Sequence, residues 1–216
     1  MKLKKNLPPP LIIGLTGGIG SGKSTVSQIL SEYHIPTIDT DLISRQLVTP
    51  HSTGLNAIVQ QFGKRILNPD ATLNRRVLRE IIFNDNTAKQ QLEAILHPMI
   101  QTEVQKQISQ LKQNSPPPLI LVAIPLLAES IKKDGQRPDY IHQIWVVDSS
   151  VEQQIKQASQ RDNSPPEQIQ KIINQQASRK ERLAIADVVI HNNGDISHLK
   201  KQLKNIVSKE ANSTAI

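Results

Sequence analysis

The sequence predicts an α/β protein with a parallel five-stranded sheet, helices on both faces of the sheet, and an inserted helical subdomain. Short apolar runs alternate with stretches of helical periodicity, which is the order typical of a parallel sheet. The block at 42–113 is mostly helical, whereas the connection between two such strands is usually far shorter. We therefore interpret this block as an insertion into the sheet domain.

The first predicted strand, residues 11–16, runs directly into a glycine-rich loop, GGIGSGKST at 17–25. A helical apolar stripe that begins at Val26 follows the loop. Strand, glycine loop and helix form the context in which a G-x-x-x-x-G-K-S/T match predicts a phosphate site. The loop is therefore expected to bind a nucleoside triphosphate.

The chemistry of the loop assigns a role to each kind of residue in it. Glycines allow successive backbone N–H groups to converge on phosphate oxygens, and the helix N-terminus adds partial positive charge. Lys23 can reach the outer phosphates, and the Ser24 hydroxyl can bind Mg²⁺. The residues expected to contact the nucleotide are Gly18, Gly20, Ser21, Gly22, Lys23, Ser24 and Thr25.

The second predicted strand, residues 35–39, ends in two carboxylates, Asp39 and Asp41. In a parallel sheet this end of a strand lies at the edge where ligands bind. A carboxylate there can orient an acceptor hydroxyl and take its proton, and we favour Asp41 for this role. Both carboxylates could instead cap the helix that follows.

The rest of the chain supplies three more strands and the helices between them. Pro98 is expected to kink or divide the longest helical run in the insertion. Continuous apolar runs at 119–124, 141–147 and 188–190 predict buried strands. The predicted organisation is a nucleotide-binding core at 10–41 and 117–207 with a lid at about 155–182, a helical insertion at 42–113, and flexible ends at 1–9 and 208–216.

Composition limits the partners of the chain. The net charge is +7, which could indicate nucleic acid, but the basic residues are dispersed and aromatic residues are only 2% of the chain. An anionic small substrate explains the charge equally well. No apolar run approaches the length of a membrane span, and the absence of cysteine fits a reducing compartment. We expect a cytoplasmic protein with no membrane or nucleic-acid partner.

Other nucleotide-binding classes fit the sequence less well. The loop lacks the third glycine of a dinucleotide fingerprint, and no base-selecting N-K-x-D stretch of a GTPase occurs. Asp148, at the end of an apolar run, has the form of a metal-binding acid, but we interpret it as leading into a helix start. The class that fits best is therefore a small-molecule kinase. Such a kinase needs mobile arginines that cover the transferred phosphoryl group. Arg161, Arg179 and Arg182 are the candidates, and the first and second are favoured.

In addition, the chain resembles the dephospho-coenzyme A kinase family from about residue 13 to residue 194. The motifs that carry the resemblance are GLTGGIGSGKST at 14–25, IDTD at 38–41 with Arg45, TLNRRVLR at 72–79, LHP at 96–98, PLL at 125–127, QRD at 160–162, QASR at 176–179 with Arg182, and NNG at 192–194. The glycine loop alone is shared by many kinases, whereas the whole set in this order is specific.

The resemblance implies a P-loop kinase fold and transfer of the ATP γ-phosphoryl group to the 3′-hydroxyl of dephospho-CoA, with Mg²⁺. It also implies that 42–113 binds the acceptor, that Asp41 lies near its hydroxyl, and that the lid surrounds Arg161. This chain departs from the family pattern at two positions. Gln157 replaces an arginine that many members have, and Ala123 replaces an acidic residue that some members have. Two alternatives remain for the function: another kinase, acting on a nucleotide or a sugar, and an ATP-binding regulator of nucleic acid. We expect the protein to be a monomer or a weak homo-oligomer.

Overall fold

The computed structural model describes residues 9–113 and 116–213. It contains one five-stranded parallel sheet in the order β2-β3-β1-β4-β5. The strands are β1 (Leu11–Gly17), β2 (Thr37–Asp39), β3 (Leu119–Ala123), β4 (Gln143–Asp148) and β5 (Val188–His191). The predicted fold class is confirmed.

Strand β1 lies in the middle of the sheet because its side chains are apolar on both faces. It pairs with β3 on one side, where Ile13 lies opposite Leu121, and with β4 on the other side. Alternate residues of a strand point to opposite faces. Ile13 and Leu15 are accordingly fully buried in the main hydrophobic core, whereas Gly14 lies beneath Leu127 on the opposite face.

Helices cover both faces of this sheet. The bounds of the helices outside the predicted insertion are α1 (Lys23–Glu32), α6 (Leu127–Asp134), α7 (Val151–Asp162), α8 (Pro166–Gln175), α9 (Arg179–Ala184) and α10 (Ile196–Ser213). Leu30 of α1 and Leu203 of α10 are fully buried in the main core, and α6 supplies Leu127 to the other face.

The described chain folds into two compact units. The first comprises residues 9–38 and 108–213, and the second comprises residues 39–107. The second unit is built from α2 (Thr40–Leu47), α3 (Thr53–Phe62), a 3₁₀ helix (Lys64–Ile66), α4 (Arg75–Asn84) and the first part of α5 (Asn86–Gln113). Ile58, Phe62 and Leu78 belong to a separate hydrophobic core in this unit. Its predicted role in binding the acceptor stays a prediction.

Two local expectations are changed by the structure. Pro98, expected to kink or divide the long helix, does not divide it, because α5 continues as one element from Asn86 to Gln113 with the proline inside it; a kink stays a prediction. A proline removes one hydrogen bond, which a helix of this length can lose while its flanking turns remain bonded. The predicted flexible tail from Ser208 is helical as far as Ser213. Residues 1–8 and 214–216 of the predicted flexible ends lie outside the described residues.

No helix in the described ranges is long and apolar enough to cross a membrane.

Candidate active site

The glycine loop, residues 17–25, lies between the end of β1 and the start of α1. Pairing of β1 on both sides fixes the point at which the loop begins. Helix α1 begins at Lys23, and among the residues that the structure describes no side chain caps its first turn. The first N–H groups of a helix have no partner within the helix and carry partial positive charge. This end of α1 is therefore suited to bind an anion.

Two glycines of the loop cannot be replaced by a larger residue. Gly20 has φ +66°, and a Cβ there would overlap the backbone carbonyl of Gln154 in α7. Gly22 has φ +95°, and its Cβ would overlap the side-chain amide of Asn192. Both backbones lie in the left-handed region, which other residues rarely adopt. The loop is thus held tightly against α7 and the segment after β5.

The side chains of the loop differ in their accessibility. Lys23 donates from Nζ to the carbonyl oxygens of Gly17 at 2.6 Å and Gly18 at 3.2 Å, so its ammonium group lies on the loop. Ser24 is exposed. Ser21 is buried, and its Oγ has no hydrogen-bond partner within the described chain. Any contact of Ser21 with a nucleotide would therefore use its backbone.

A Mg²⁺ ion would fit this loop only together with a bound nucleotide. The described part of the chain holds no group of three or more histidine and acidic side chains that could bind a metal by themselves. Mg²⁺ is commonly held by one or two protein oxygens, substrate phosphates and water. The exposed hydroxyl of Ser24, in the first turn of α1, is the protein oxygen suited to this arrangement.

Two side-chain amides contact the backbone of the loop from distant parts of the sequence. The Gln176 Oε1 atom accepts a hydrogen bond from the Ile19 N–H at 2.9 Å. The Asn192 Nδ2 atom donates to the Ser21 carbonyl oxygen at 2.8 Å, and Asn192 is buried. In the sequence, these residues belong to the QASR motif at 176–179 and the NNG motif at 192–194, and neither was predicted to have a role in the site.

The favoured lid arginines, Arg161 and Arg179, are both paired with carboxylates. Arg161 makes two hydrogen bonds of 2.7 Å to its neighbour Asp162, at the end of α7. Arg179 makes two hydrogen bonds of 2.7 Å to Asp148, at the end of β4. The side chains of Arg161 and Arg179 are 60% and 57% exposed, so both guanidinium groups remain accessible to a ligand.

The third candidate, Arg182, lies in a different environment from Arg179. It is 6% exposed, its guanidinium group lies beside Gly18, and its Nη1 donates to the Ala177 carbonyl oxygen. Burial lowers the pKa of its guanidinium group, while Glu129 and Asp148 oppose the shift. Arg179 and Arg182 lie three residues apart on α9, and both lower the pKa of the Asp148 carboxyl. Arg179 does so through direct hydrogen bonds, whereas the hydrogen bond of Arg182 goes to a backbone carbonyl.

Asp148 precedes the start of α7, as expected, but it also has a partner that was not predicted from the sequence. It ends β4 two residues before Ser150, whose side chain caps α7 by accepting from the Gln153 N–H, and it is 4% exposed. The hydrogen bonds from Arg179 hold the pKa of the Asp148 carboxyl below its ordinary value against the effect of burial. The sequence signal was available, since an acid ending an apolar strand needs a partner when it is buried.

In the second unit, the structure separates the roles of the two acid candidates. The Asp39 Oδ1 atom accepts from the backbone N–H groups of Asp41 and Leu42, so Asp39 is the N-cap of α2. Asp41 lies in the first turn of the same helix. The capping alternative is thus realised by Asp39, and a substrate role for Asp41 stays a prediction.

The two departures from the family pattern lie in the first unit. Gln157, in α7, is half-buried, and its Oε1 lies 3.9 Å from the position that a Cβ on Gly22 would occupy. The side chain at position 157 is thus close to the glycine loop. Ala123 is the last residue of β3.

Comparison with known proteins shows similarity along nearly the whole chain. A family model described as dephospho-CoA kinase matches residues 11–198. A dephospho-CoA kinase of Hydrogenovibrio crunogenus is 45% identical over 202 residues, which cover 94% of this chain and 99% of that protein. A dephospho-CoA kinase of Escherichia coli K12 is 46% identical over 184 residues, covering 85% of this chain and 84% of that one.

Solved structures show the same architecture. The crystal structure of a Thermus thermophilus protein superposes with a TM-score of 0.78 at 26% identity, covering 93% of this chain and 97% of the other. A dephospho-CoA kinase of Campylobacter jejuni superposes with a TM-score of 0.64 at 23% identity, covering 94% of this chain and 98% of the other. The second likeness supports the fold.

Proposed function

This chain belongs to the dephospho-CoA kinase family, and we propose that Lys23 and Ser24 serve the ATP side of its reaction while Asp41 serves the acceptor side. Its activity is the ATP-dependent phosphorylation of dephospho-CoA. In the family's reaction, the γ-phosphoryl group passes to the 3′-hydroxyl of the ribose and gives coenzyme A. The observation that carries the proposal is the match over residues 11–198, which includes the glycine loop and Asp41.

On the donor side, the loop stabilises negative charge. Phosphoryl transfer depends mainly on positioning and on electrostatic stabilisation of the transferring group. The first turn of α1, which no side chain of the described residues caps, supplies N–H donors, and Lys23 supplies a charge that already lies on the loop at Gly17 and Gly18. Mg²⁺ bound to the nucleotide and Ser24 would neutralise charge on the phosphates. When ATP binds, the Lys23 ammonium group would exchange its hydrogen bonds to the Gly17 and Gly18 carbonyl oxygens for hydrogen bonds to phosphate oxygens.

On the acceptor side, Asp41 is proposed to act as general base. Its carboxylate would accept a hydrogen bond from the 3′-hydroxyl, orient the oxygen towards the γ-phosphorus, and take the proton as the new O–P bond forms, the bond from the γ-phosphorus to the β–γ bridging oxygen breaks, and ADP leaves. Asp39 cannot serve equally, because its carboxylate already accepts two backbone hydrogen bonds as the cap of α2. The second compact unit, which carries Asp41, is the proposed acceptor-binding unit.

Arg161 and Arg179 are proposed to contact the transferring phosphoryl group. Each is more than half exposed and is held by a carboxylate in a two-point contact. A phosphate presents the same kind of acceptor to a guanidinium group and carries more charge. Exchange of the carboxylate for the phosphoryl oxygens would bring positive charge to the transition state. The predicted lid motion of 155–182, a cytoplasmic location and a monomeric or weakly oligomeric state stay predictions.

The activity is tested by incubating the purified protein with ATP, Mg²⁺ and dephospho-CoA and identifying the product by mass and by its phosphate position. We expect coenzyme A, phosphorylated at the 3′-hydroxyl. Nucleotides and simple sugars serve as competing acceptors. A higher kcat/KM with one of them than with dephospho-CoA, or no turnover from a folded sample, would contradict the proposed function.

The base assignment is tested by comparing Asp41→Asn with Asp39→Asn. We expect Asp41→Asn to lower kcat by about 10²-fold or more, because an amide cannot accept the hydroxyl proton. Asp39→Asn is the matched control, since asparagine caps helices about as well as aspartate does. Steady-state kinetics and melting temperature are measured for both variants. A wild-type kcat in Asp41→Asn would show that another group takes the proton.

A further inference from the structure

Two side-chain amides hold the glycine loop from its outer side. Gln176 lies 157 residues after Ile19 in the chain, and its Oε1 accepts from the Ile19 N–H. Asn192 lies 171 residues after Ser21, and its Nδ2 donates to the Ser21 carbonyl oxygen. Each contact therefore joins one peptide group of the loop to a remote part of the same compact unit. We refer to Gln176 and Asn192 as the outer amides.

The planarity of the peptide bond gives these contacts a consequence inside the loop. In a trans peptide, the carbonyl oxygen of one residue and the N–H of the next residue point in opposite directions. Asn192 holds the Ser21 carbonyl, so the Gly22 N–H of the same peptide points away from Asn192, at the N-terminal end of α1, where the helix is suited to bind an anion. A bound phosphate would meet this N–H group.

Gln176 acts on the other peptide in the opposite sense. Because it holds the Ile19 N–H outward, the Gly18 carbonyl of that peptide points inward. The inward carbonyl is seen in two contacts, since the Gly18 oxygen accepts from Lys23 Nζ and from the Ser21 N–H, each at 3.2 Å. The orientation of this peptide thus provides one of the two carbonyls on which the Lys23 ammonium group lies.

A glycine-rich loop needs such external contacts. Glycine adopts left-handed and right-handed backbone conformations about equally readily, so the peptides that flank it can rotate with little steric cost. Gly20 and Gly22 lie on either side of Ser21 and both have positive φ. A loop that has to be ordered on binding loses affinity relative to one already in its bound form.

The outer amides are themselves held in place. The residue after Gln176, Ala177, donates its N–H to Glu129 Oε1 at 2.7 Å, and the Gln176 N–H bonds to the end of α8. The Asn192 N–H donates to the Asp148 carbonyl oxygen at 2.8 Å, which continues the pairing of β5 with β4. Gln176 is therefore fixed by the end of α8 and Asn192 by strand β4, and each holds its loop peptide at a defined position relative to that element.

We propose that Gln176 and Asn192 are positioning residues for ATP, which set the peptide orientations of the glycine loop before the nucleotide binds. Asn192 turns the Gly22 N–H towards the phosphates, and Gln176 turns the Gly18 carbonyl towards Lys23. Neither side chain has to touch ATP for this effect. The inference rests on the proposed function only in taking ATP as the ligand of the loop.

The first test is the substitution Asn192→Asp, with Asn193→Asp as its matched control. Aspartate has the shape of asparagine but replaces the donor with an oxygen, which would face the Ser21 carbonyl oxygen. The neighbouring Asn193 uses its Oδ1 to accept from the Ser150 N–H, so its aspartate variant keeps that contact. We expect Asn192→Asp to weaken ATP binding by about tenfold or more, as for a buried hydrogen bond left unmade, while Asn193→Asp binds ATP as wild type does.

The second test uses Gln176→Leu and Gln176→Glu, with Gln175→Leu as control. Leucine removes the acceptor for the Ile19 N–H, whereas glutamate keeps an acceptor oxygen at the same reach. We expect Gln176→Leu to weaken ATP binding, Gln176→Glu to restore most of it, and the change at the exposed Gln175 to leave it unaltered. A purely structural role would predict that both substitutions at Gln176 act through stability alone.

The readouts separate positioning of the loop from general damage. The dissociation constant of a non-hydrolysable ATP analogue is measured by calorimetry, together with KM for ATP, KM for dephospho-CoA, and the melting temperature. We expect the nucleotide constants to rise while KM for dephospho-CoA stays within about twofold. Folded Asn192→Asp and Gln176→Leu variants that bind the analogue like wild type would overturn the inference.

The outcome also distinguishes this inference from the proposed function. If wild type fails to bind ATP, the proposed function is overturned. If wild type binds ATP and phosphorylates dephospho-CoA while the variants at both outer amides match it, only the inference is overturned. Should Asn192→Asp not fold, the Gln176→Leu and Gln176→Glu pair decides the inference by the presence or absence of rescue.

Discussion

The glycine loop and the arginine-bearing helices α7 and α9 belong to the same compact unit but are held by different kinds of contact. Neutral amides, Gln176 and Asn192, hold the loop backbone in one orientation. In the helices, the exposed guanidinium groups of Arg161 and Arg179 are each held by a carboxylate of the protein itself. The two amides bind backbone groups of the loop that are not proposed to contact the phosphates. In contrast, the carboxylates bind the guanidinium groups themselves, which are the groups proposed to contact the phosphoryl group.

If the proposed function holds, this difference means that the loop is already ordered before ATP binds, whereas Arg161 and Arg179 would have to exchange their carboxylate partners for the phosphoryl group. An exposed ion pair such as Arg161 with Asp162 contributes little to stability, so breaking it to bind a phosphate would cost little free energy. The Asp148 carboxylate is buried, and losing Arg179 would leave it without its strongest partner. His191, with its Nδ1 at 3.7 Å, and Arg182 remain close enough to stabilise its charge during the exchange.

The largest effect is expected from Lys23→Ala, which tests the preformed loop. The variant should lower kcat by about 10²-fold or more, because a fixed charge on the transferring phosphoryl group is lost. Lys171→Ala, at an exposed position of α8, is the matched control and should keep the wild-type rate. Steady-state kinetics with ATP and dephospho-CoA check the prediction. A Lys23→Ala variant with near-wild-type kcat would show that the loop backbone alone suffices.

The next effect is expected from Arg179→Ala, which tests the exchange of partners. We expect kcat to fall by about tenfold, with a smaller fall for Arg161→Ala. Stability should also decrease for Arg179→Ala, because the buried Asp148 carboxylate loses two hydrogen bonds. Lys180→Ala, an exposed change on the same helix, is the control. The measurements are kcat, KM and the melting temperature.

A double variant separates catalysis from stability at this position. Asp148→Asn combined with Arg179→Ala removes the unpaired buried charge, so the melting temperature should recover towards wild type. The rate should remain low, because no guanidinium group is left at position 179 to contact the phosphoryl group. Recovery of kcat together with stability would show that Arg179 only neutralises Asp148.

The smallest effect is expected in acid, where the two regions should differ. Glu181 accepts from Lys132 and from Ser178 at the start of α9, and these contacts lower the pKa of its carboxyl group to about 2. A carboxyl with a lowered folded-state pKa stabilises the protein above its ordinary pKa of 4.5, and this contribution is lost as the pH falls from 4.5 towards 2. The outer amides do not titrate in this range.

This pH dependence is checked by measuring melting temperatures of wild type and Glu181→Gln between about pH 6 and about pH 2.5. We expect wild type to be the more stable above about pH 4.5 and the difference to shrink as the pH falls. Lys132→Met, which removes the other half of the ion pair, should reproduce the change in part. A difference that is independent of pH would show that the charge of Glu181 does not support α9.

The parts of the fold that could be predicted are those set by neighbouring residues. The apolar run before GGIGSGKST, the glycines and the stripe that begins at Val26 predict strand, loop and helix, and the structure has β1, the loop and α1 there. Capping was only partly predictable. Asp39 and Asp41 lie two residues apart with the same side chain, and only the backbone conformation at Asp39 decides which one caps α2.

The fold class, the phosphate-binding loop and the family could be predicted from the amino-acid sequence, because apolar periodicity and motif spacing depend on residues close together in the chain. The surroundings of these motifs depend on the folded chain: Asp148 pairs with Arg179, and Gln176 and Asn192 bind the backbone of the loop. The partners in each pair are separated by 31 to 171 residues. Strand order and helix packing bring such partners together, and no local pattern records which polar side chain will face which backbone group.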